Sequence, residues 1–195
     1  MNLLNTINIS NYNINIKEAL RYMGATDSDE RLSSLTKNIS AELFKTCRPL
    51  ACYTEAPVKM DGDLLNLGII KVKSTALAKN LAGCKRVIIF AATLGADFDR
   101  LLNLKQITSP SEALILDALG SSAIEGVCDE VEKVIKEKLN CKMKPRFSPG
   151  YGDFSISFQK NITEGLNTKK NIGLVVSDSL MLMPTKSVTA VIGLE

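Results

Sequence analysis

The tetrad Ser109-Pro110-Ser111-Glu112 does most to limit what this chain can fold into. A hydroxyl residue followed by proline and, two positions on, a glutamate reads as a capping box with proline in the first helical position. It opens a helix expected to run to about Leu139, where Ile124, Val127, Val131 and Val134 form an apolar stripe at helical spacing. A long helix with one apolar face needs a sheet or other helices to cover it. The cover is found in Val87-Ile88-Ile89-Phe90-Ala91-Ala92, an apolar run that reads as a buried strand within 85–93. Asp61-Gly62, between residues 50–60 and 64–73, is a strong hairpin signal.

The remaining segments fill in around these. Residues 1–15 alternate Asn and Ile and read as a frayed arm or a short edge strand. A short helix is expected over 17–23, stopped by Gly24. Asp27 with Glu30 marks a second helix start, carried to about Lys45 by Leu32, Leu35, Ile39 and Leu43. Further helices are expected over 74–81, 97–105 and 155–166, and strands over 141–147, 173–177 and 187–192, with a loop at 167–171. Hairpins mixed with helices predict an α+β fold with a largely antiparallel sheet, a single domain over 1–195 whose residues 1–45 form an N-terminal helical segment.

Composition excludes several classes. The net charge of +3 is small and its Lys and Arg are interleaved with Asp and Glu, so nucleic acid is not an expected partner. No run of about 18 apolar residues is present to span a membrane. The N-terminus has neither a basic region nor an apolar signal core, which argues against export. Five cysteines without a CxxC pair suit free thiols in a reducing cytoplasm. The chain has no histidine, which removes Ser-His-Asp and Cys-His catalysis and HExxH zinc sites. No metal site and no stand-alone catalytic group are expected; the chemistry would sit on a ligand or on a partner's cofactor.

Three segments carry the functional signal. The first is Arg146-Phe-Ser-Pro-Gly-Tyr-Gly-Asp153. Arg146 offers a planar fork of donors that fits a carboxylate, Pro149-Gly150 reads as a turn whose glycine lets a ligand near the backbone, and Tyr151 adds a flat face with a polar tip. The plainer alternative is a loop with Arg146 in a surface ion pair. The second is the middle of the long helix, where Gly120, Ser121, Ser122, Ala123 and Gly126 are unusually small and Glu125 stands among them. Glycines inside a helix cost about 1 kcal/mol each relative to alanine, so close approach of something is implied: a ligand, or tight packing with Glu125 on the solvated flank. The third is Ser177-Asp-Ser-Leu-Met-Leu-Met-Pro184 followed by Lys186-Ser-Val-Thr189, where Ser179, Ser187 and Thr189 surround a methionine-rich turn that suits an adaptable surface or core filling.

In this order the three segments resemble the activation, or reactivation, domain of cobalamin-dependent methionine synthase, in a free-standing form. Arg146 to Tyr151 is similar to that family's S-adenosylmethionine-binding signature, Ala123-Ile-Glu125 sits where the family places a ligand-contacting glutamate, and 177–188 is similar to its closing segment. The match is good over about 109–193, and weak over 50–105. The family's aspartate near the start of the domain has no counterpart assigned here. The resemblance implies a ligand site of Glu125, Arg146, Pro149, Gly150, Tyr151 and Ser187, with Arg146 on the methionine carboxylate and Glu125 on the ligand amine or ribose. It implies S-adenosylmethionine as ligand, cobalamin carried by a methionine synthase subunit or other corrinoid protein, and a flavodoxin-like electron donor. The function implied is reactivation in trans of oxidised cobalamin. Alternatives are a reactivator of another corrinoid methyltransferase and a non-catalytic S-adenosylmethionine-sensing subunit. Asp153, where the family continues differently, reads as an N-cap for the helix that follows.

Overall fold

The computed structural model describes residues 4–24 and 30–195. In chain order the elements are β1 (Leu4–Asn8), α1 (Ile16–Tyr22), α2 (Glu30–Thr46), β2 (Leu50–Pro57), β3 (Lys59–Asp61), β4 (Leu64–Asn66), β5 (Lys71–Lys73), α3 (Thr75–Asn80), β6 (Arg86–Thr93), α4 (Ala96–Thr108), α5 (Pro110–Leu139), α6 (Phe158–Gly165), α7 (Thr168–Ile172), β7 (Val175–Val176), β8 (Leu182–Met183) and β9 (Ser187–Leu194). The main sheet has the order β1-β2-β6-β9; β3-β4-β5 form a second sheet and β7-β8 a third. Every pairing among the described strands is antiparallel. The fold is α+β, with antiparallel sheets flanked by helices.

The main sheet is covered on both faces, and the pleat sorts the side chains. Ile88, Phe90 and Ala92 of β6 and Ala190 and Ile192 of β9 face a core shared with α2, α4 and α5. Val87, Ile89 and Ala91, with Val191, face a second core completed by the small hairpin sheet, α3, α6 and α7. This is why the 87–92 run is apolar without alternation: neither face meets water.

The apolar stripe of α5 continues from Val131 to Ile135, while Val134 is half-buried. Its small middle is explained by the chain itself. A Cβ on Gly126 would lie 1.9 Å from the backbone oxygen of Asn13, and one on Gly120 would lie 2.3 Å from the Phe98 ring. The strand-to-helix link at residues 9–14 therefore crosses α5 in contact with its backbone. Ser122 fixes the crossing, its hydroxyl accepting from the Asn15 N–H (2.8 Å) and donating to the Asn15 carbonyl (3.3 Å). The close approach read from the glycines is tight self-packing.

Several local expectations are corrected. The start of α2 at Asp27 lies outside the described residues. Pro110 takes the first position of α5, but Ser109 makes no side-chain cap; the Glu112 carboxylate bonds Lys105 instead (2.8 Å), which also bridges to Glu42 (2.9 Å). The stretch 64–73 is split into two paired strands, β4 and β5. Residues 141–147 form no continuous strand: they follow the outer edge of β9 through two isolated bridges, Met143 to Leu194 and Phe147 to Val191. Pro145, between those bridges, has no N–H to give the ladder. Residues 167–171, read as a loop, lie largely within α7; their polar composition hides a short turn of helix closed by Asn171 donating to the Leu166 and Asn167 carbonyls.

Candidate functional site

At the outer edge of β9, between the helices of the two layers, lies a cleft of about 410 Å³. Glu125 enters from α5, Arg146 from the segment after it, Tyr151 from the loop beyond, and Ser187 from the start of β9. Four of the six residues expected from the sequence thus line one cavity. Pro149 and Gly150 do not line it; they shape the loop that carries Tyr151. Pro149 is buried, and Gly150 adopts φ 100° while its N–H donates to the Phe154 carbonyl (2.7 Å). That positive φ, and no crowding by a neighbour, is what requires glycine there.

Arg146 arrives because Asn140, in the left-handed conformation at the end of α5, reverses the chain and 141–147 runs back along β9. Its guanidinium meets three carboxylates on one face of α5: Glu125 at 2.5 Å, Asp129 at 2.8 Å and Glu132 at 2.5 Å. Burial alone lowers the pKa of the guanidinium, but the hydrogen bonds to Glu132, Asp129 and Glu125 outweigh this and the net shift is upward. Three of its five N–H donors are used in these bonds, and two remain. The rim therefore carries three anionic groups around one cation, a balance that favours a positively charged ligand group nearby. Among the described residues no group of three or more His, Cys, Asp or Glu side chains is arranged to hold a metal ion.

The loop 148–154 is anchored from outside its own neighbourhood. Asp153 does not cap α6. It accepts from the Ser74 hydroxyl (2.5 Å) and from the N–H groups of Thr75 (2.7 Å) and Ala76 (3.0 Å), closing the start of α3 together with Ser74. The Ser74 hydroxyl, with help from the Ala76 and Thr75 N–H groups, holds the Asp153 carboxyl down at about 2. A run of rings, Tyr151 to Phe147 (6.2 Å), Phe147 to Phe154 (6.4 Å) and Phe154 to Phe158 (5.6 Å), leads from the exposed rim to the buried core. Across the cleft, the Ser187 hydroxyl hydrogen-bonds the Thr93 hydroxyl (2.8 Å) and the Pro184 carbonyl (2.7 Å), after a cis Met183–Pro184 peptide bond. Met181 and Met183 are exposed beside it.

Sequence reasoning missed Asp129 and Glu132, although Glu125, Asp129 and Glu132 follow an i, i+4, i+7 spacing that sets them on one helical face. It also missed Gln159 on α6, which has no local signature, and it noted Thr189 without placing it in the site. Both line the cleft, and each has a buried side-chain oxygen with no hydrogen-bond partner. No cysteine lines the cleft; burial pushes Cys47 and Cys52 up to about 12, and shifts Cys128, buried on α5, upward too.

No family model matches the sequence, and no curated protein matches it. A solved structure does: the crystal structure of the MetH reactivation domain bound to AdoHcy, at a TM-score of 0.76 and 15% identity, covering 97% of this chain and 78% of that one. Together with the antiparallel order β1-β2-β6-β9 and its two helical covers, this establishes that the chain carries the fold of the MetH reactivation domain.

Proposed function

We propose that the cleft at the edge of β9 binds S-adenosylmethionine and presents it to a corrinoid held by a partner protein, a methionine synthase subunit or other corrinoid methyltransferase. The observation that carries this reading is the convergence of Glu125, Arg146, Tyr151 and Ser187 from four separate parts of the chain on one cavity. Its volume falls within the range of about 300–1,000 Å³ usual for small-molecule sites. The neighbouring reactivation domain of the same fold was solved with AdoHcy, the demethylated form of this ligand.

When bound, S-adenosylmethionine supplies an electrophilic methyl on a sulfonium, for a corrinoid reduced by a flavodoxin-like donor. The residues of this chain hold and orient. Arg146 turns its two remaining donors to the ligand carboxylate, its side chain held in place by Asp129 and Glu132. Glu125 accepts from the ligand amine or ribose and favours the positive charge of the sulfonium. Pro149 and Gly150 set the loop, Tyr151 walls the open side where a corrinoid would dock, and the Ser187 hydroxyl lines the opposite side. Methyl transfer from a sulfonium needs no proton relay, which agrees with a chain lacking histidine.

The first test is calorimetric titration with S-adenosylmethionine, in which saturable binding is expected and its absence removes the reading. The second mixes the protein with a cob(II)alamin-loaded corrinoid protein, S-adenosylmethionine and a reductant. Appearance of the methylcobalamin spectrum only when this chain is present is the expected result. Binding without that spectrum would favour a sensing subunit.

A further inference from the structure

We propose that α3 is a splint for the binding loop: it grips the segment 145–153 at both ends and so sets where Arg146 and Tyr151 stand. This rests on the reading of the cleft as an S-adenosylmethionine site and names Asn80 and Asp153 as positioning residues for it. None of residues 74–80 lines the cleft. At the start of α3, the Ser74 hydroxyl and the N–H groups of Thr75 and Ala76 all donate to the Asp153 carboxylate, two positions after Tyr151. At its last residue, Asn80 Nδ2 donates to the Pro145 carbonyl (3.3 Å), one position before Arg146. The two grips lie at opposite ends of a six-residue helix, about 9 Å apart at a rise of about 1.5 Å per residue. Between them the loop is seated on the helix: a Cβ on Gly152, at φ 55°, would lie 2.8 Å from the Cβ of Ala76.

The splint can position the loop because the core holds the splint. Leu77 and Leu81 are fully buried in the second core. The Ser74 hydroxyl accepts from the Leu77 N–H (3.0 Å), and the Ser74 N–H donates to the Asp63 carbonyl (2.9 Å) in the turn between β3 and β4. The loop's own backbone bonds close local turns, from the Gly150 N–H to the Phe154 carbonyl (2.7 Å) and from the Phe154 N–H to the Tyr151 carbonyl (3.0 Å). They shape the loop but do not tie it to the rest of the fold; Asp153 and Asn80 do. A loop held in advance presents Arg146 and Tyr151 with less ordering cost on binding.

The test compares the native protein with Asp153→Asn and Asn80→Ala, by amide hydrogen exchange without ligand and by calorimetric titration with S-adenosylmethionine, at a temperature where all three are folded. In Asp153→Asn the Gly150 and Phe154 amides are expected to exchange about tenfold faster, in excess of any change at the amides of β6, which report global opening. In Asn80→Ala the same excess is expected at the Phe147 amide. Affinity should fall about fivefold in Asp153→Asn and about threefold in Asn80→Ala. Loop amides that change only as those of β6 do overturn the splint. Native affinity in both variants overturns the positioning role even where exchange quickens. Failure of the native protein to bind overturns the S-adenosylmethionine reading, while the exchange rates still decide whether α3 holds the loop.

Discussion

The middle of α5 and the cleft at β9 both collect residues for which a packed core has no ordinary use, and they resolve differently. In α5 the anomaly is missing volume: Gly120 and Gly126 leave room that Phe98 and the backbone of Asn13 occupy. In the cleft the anomaly is missing partners: Gln159 and Thr189 offer buried oxygens that nothing in the protein meets. Small side chains signal that the chain approaches itself. Unmet polar atoms mark places where packing leaves a polar group without a partner, and Tyr12 and Asn80 show the same feature away from the cleft. The two regions are joined at Glu125, which sits beside Gly126 in sequence and turns its carboxylate to Arg146 at the mouth of the cleft.

Substitutions should separate self-packing from ligand holding. The largest effect is expected at Gly126→Ala, where the new methyl would overlap the Asn13 carbonyl, a backbone atom that can move only with the whole crossing. We expect a loss of about 3 kcal/mol in urea unfolding; unchanged stability would mean that residues 9–14 are not seated on α5. Arg146→Ala should weaken S-adenosylmethionine binding by about 2 kcal/mol or more, while changing the melting temperature little, because two of its three ion-pair partners are half or more exposed. Unaltered calorimetric affinity would move Arg146 to the structural side of the comparison. Glu125→Gln should cost about 1 kcal/mol of affinity, and native affinity would leave Glu125 as a packing and ion-pair residue.

The smallest effect concerns Asp153. Its folded pKa of about 2 lies below the ordinary 3.8, so the stabilisation it provides is present in full above that ordinary value and is lost as pH falls through the folded one. The melting temperature of Asp153→Asn should be lower than native by a constant amount from neutral pH to about pH 4, with the gap closing towards pH 2. A gap independent of pH would mean that the carboxylate charge does not hold the loop.

What could be read in advance followed how local the determinants are. The boundaries of β6 and α5, the turn at Asp61-Gly62 and the short helix near 74–81 depend on neighbours within a few residues, and periodicity and turn chemistry expose them. The partners of Gly126, Asp153 and Phe147 lie more than 40 positions away, at Asn13, Ser74 and Val191, and no window along the chain contains both members. For the site, Glu125, Arg146, Tyr151 and Ser187 were found through a motif and its resemblance. The carboxylates Asp129 and Glu132 could have been found from helical spacing alone. Gln159 could not: a single polar position on a short helix carries no sign that its oxygen will be shut away from water.

The pairing of β6 with β9 has a consequence for synthesis on the ribosome. Strand β6, apolar on both faces, finds β2 soon after it emerges, but its other edge must wait for Ser187–Leu194, made about 100 positions later. Through that interval a nascent chain would hold an open, greasy strand edge of the kind that invites pairing with other chains. The same late segment brings Ser187 and Thr189, so the step that seals the nascent edge also completes the cleft. Production at high rates should therefore be sensitive to chaperone supply in a way that the finished molecule, with that edge closed, is not.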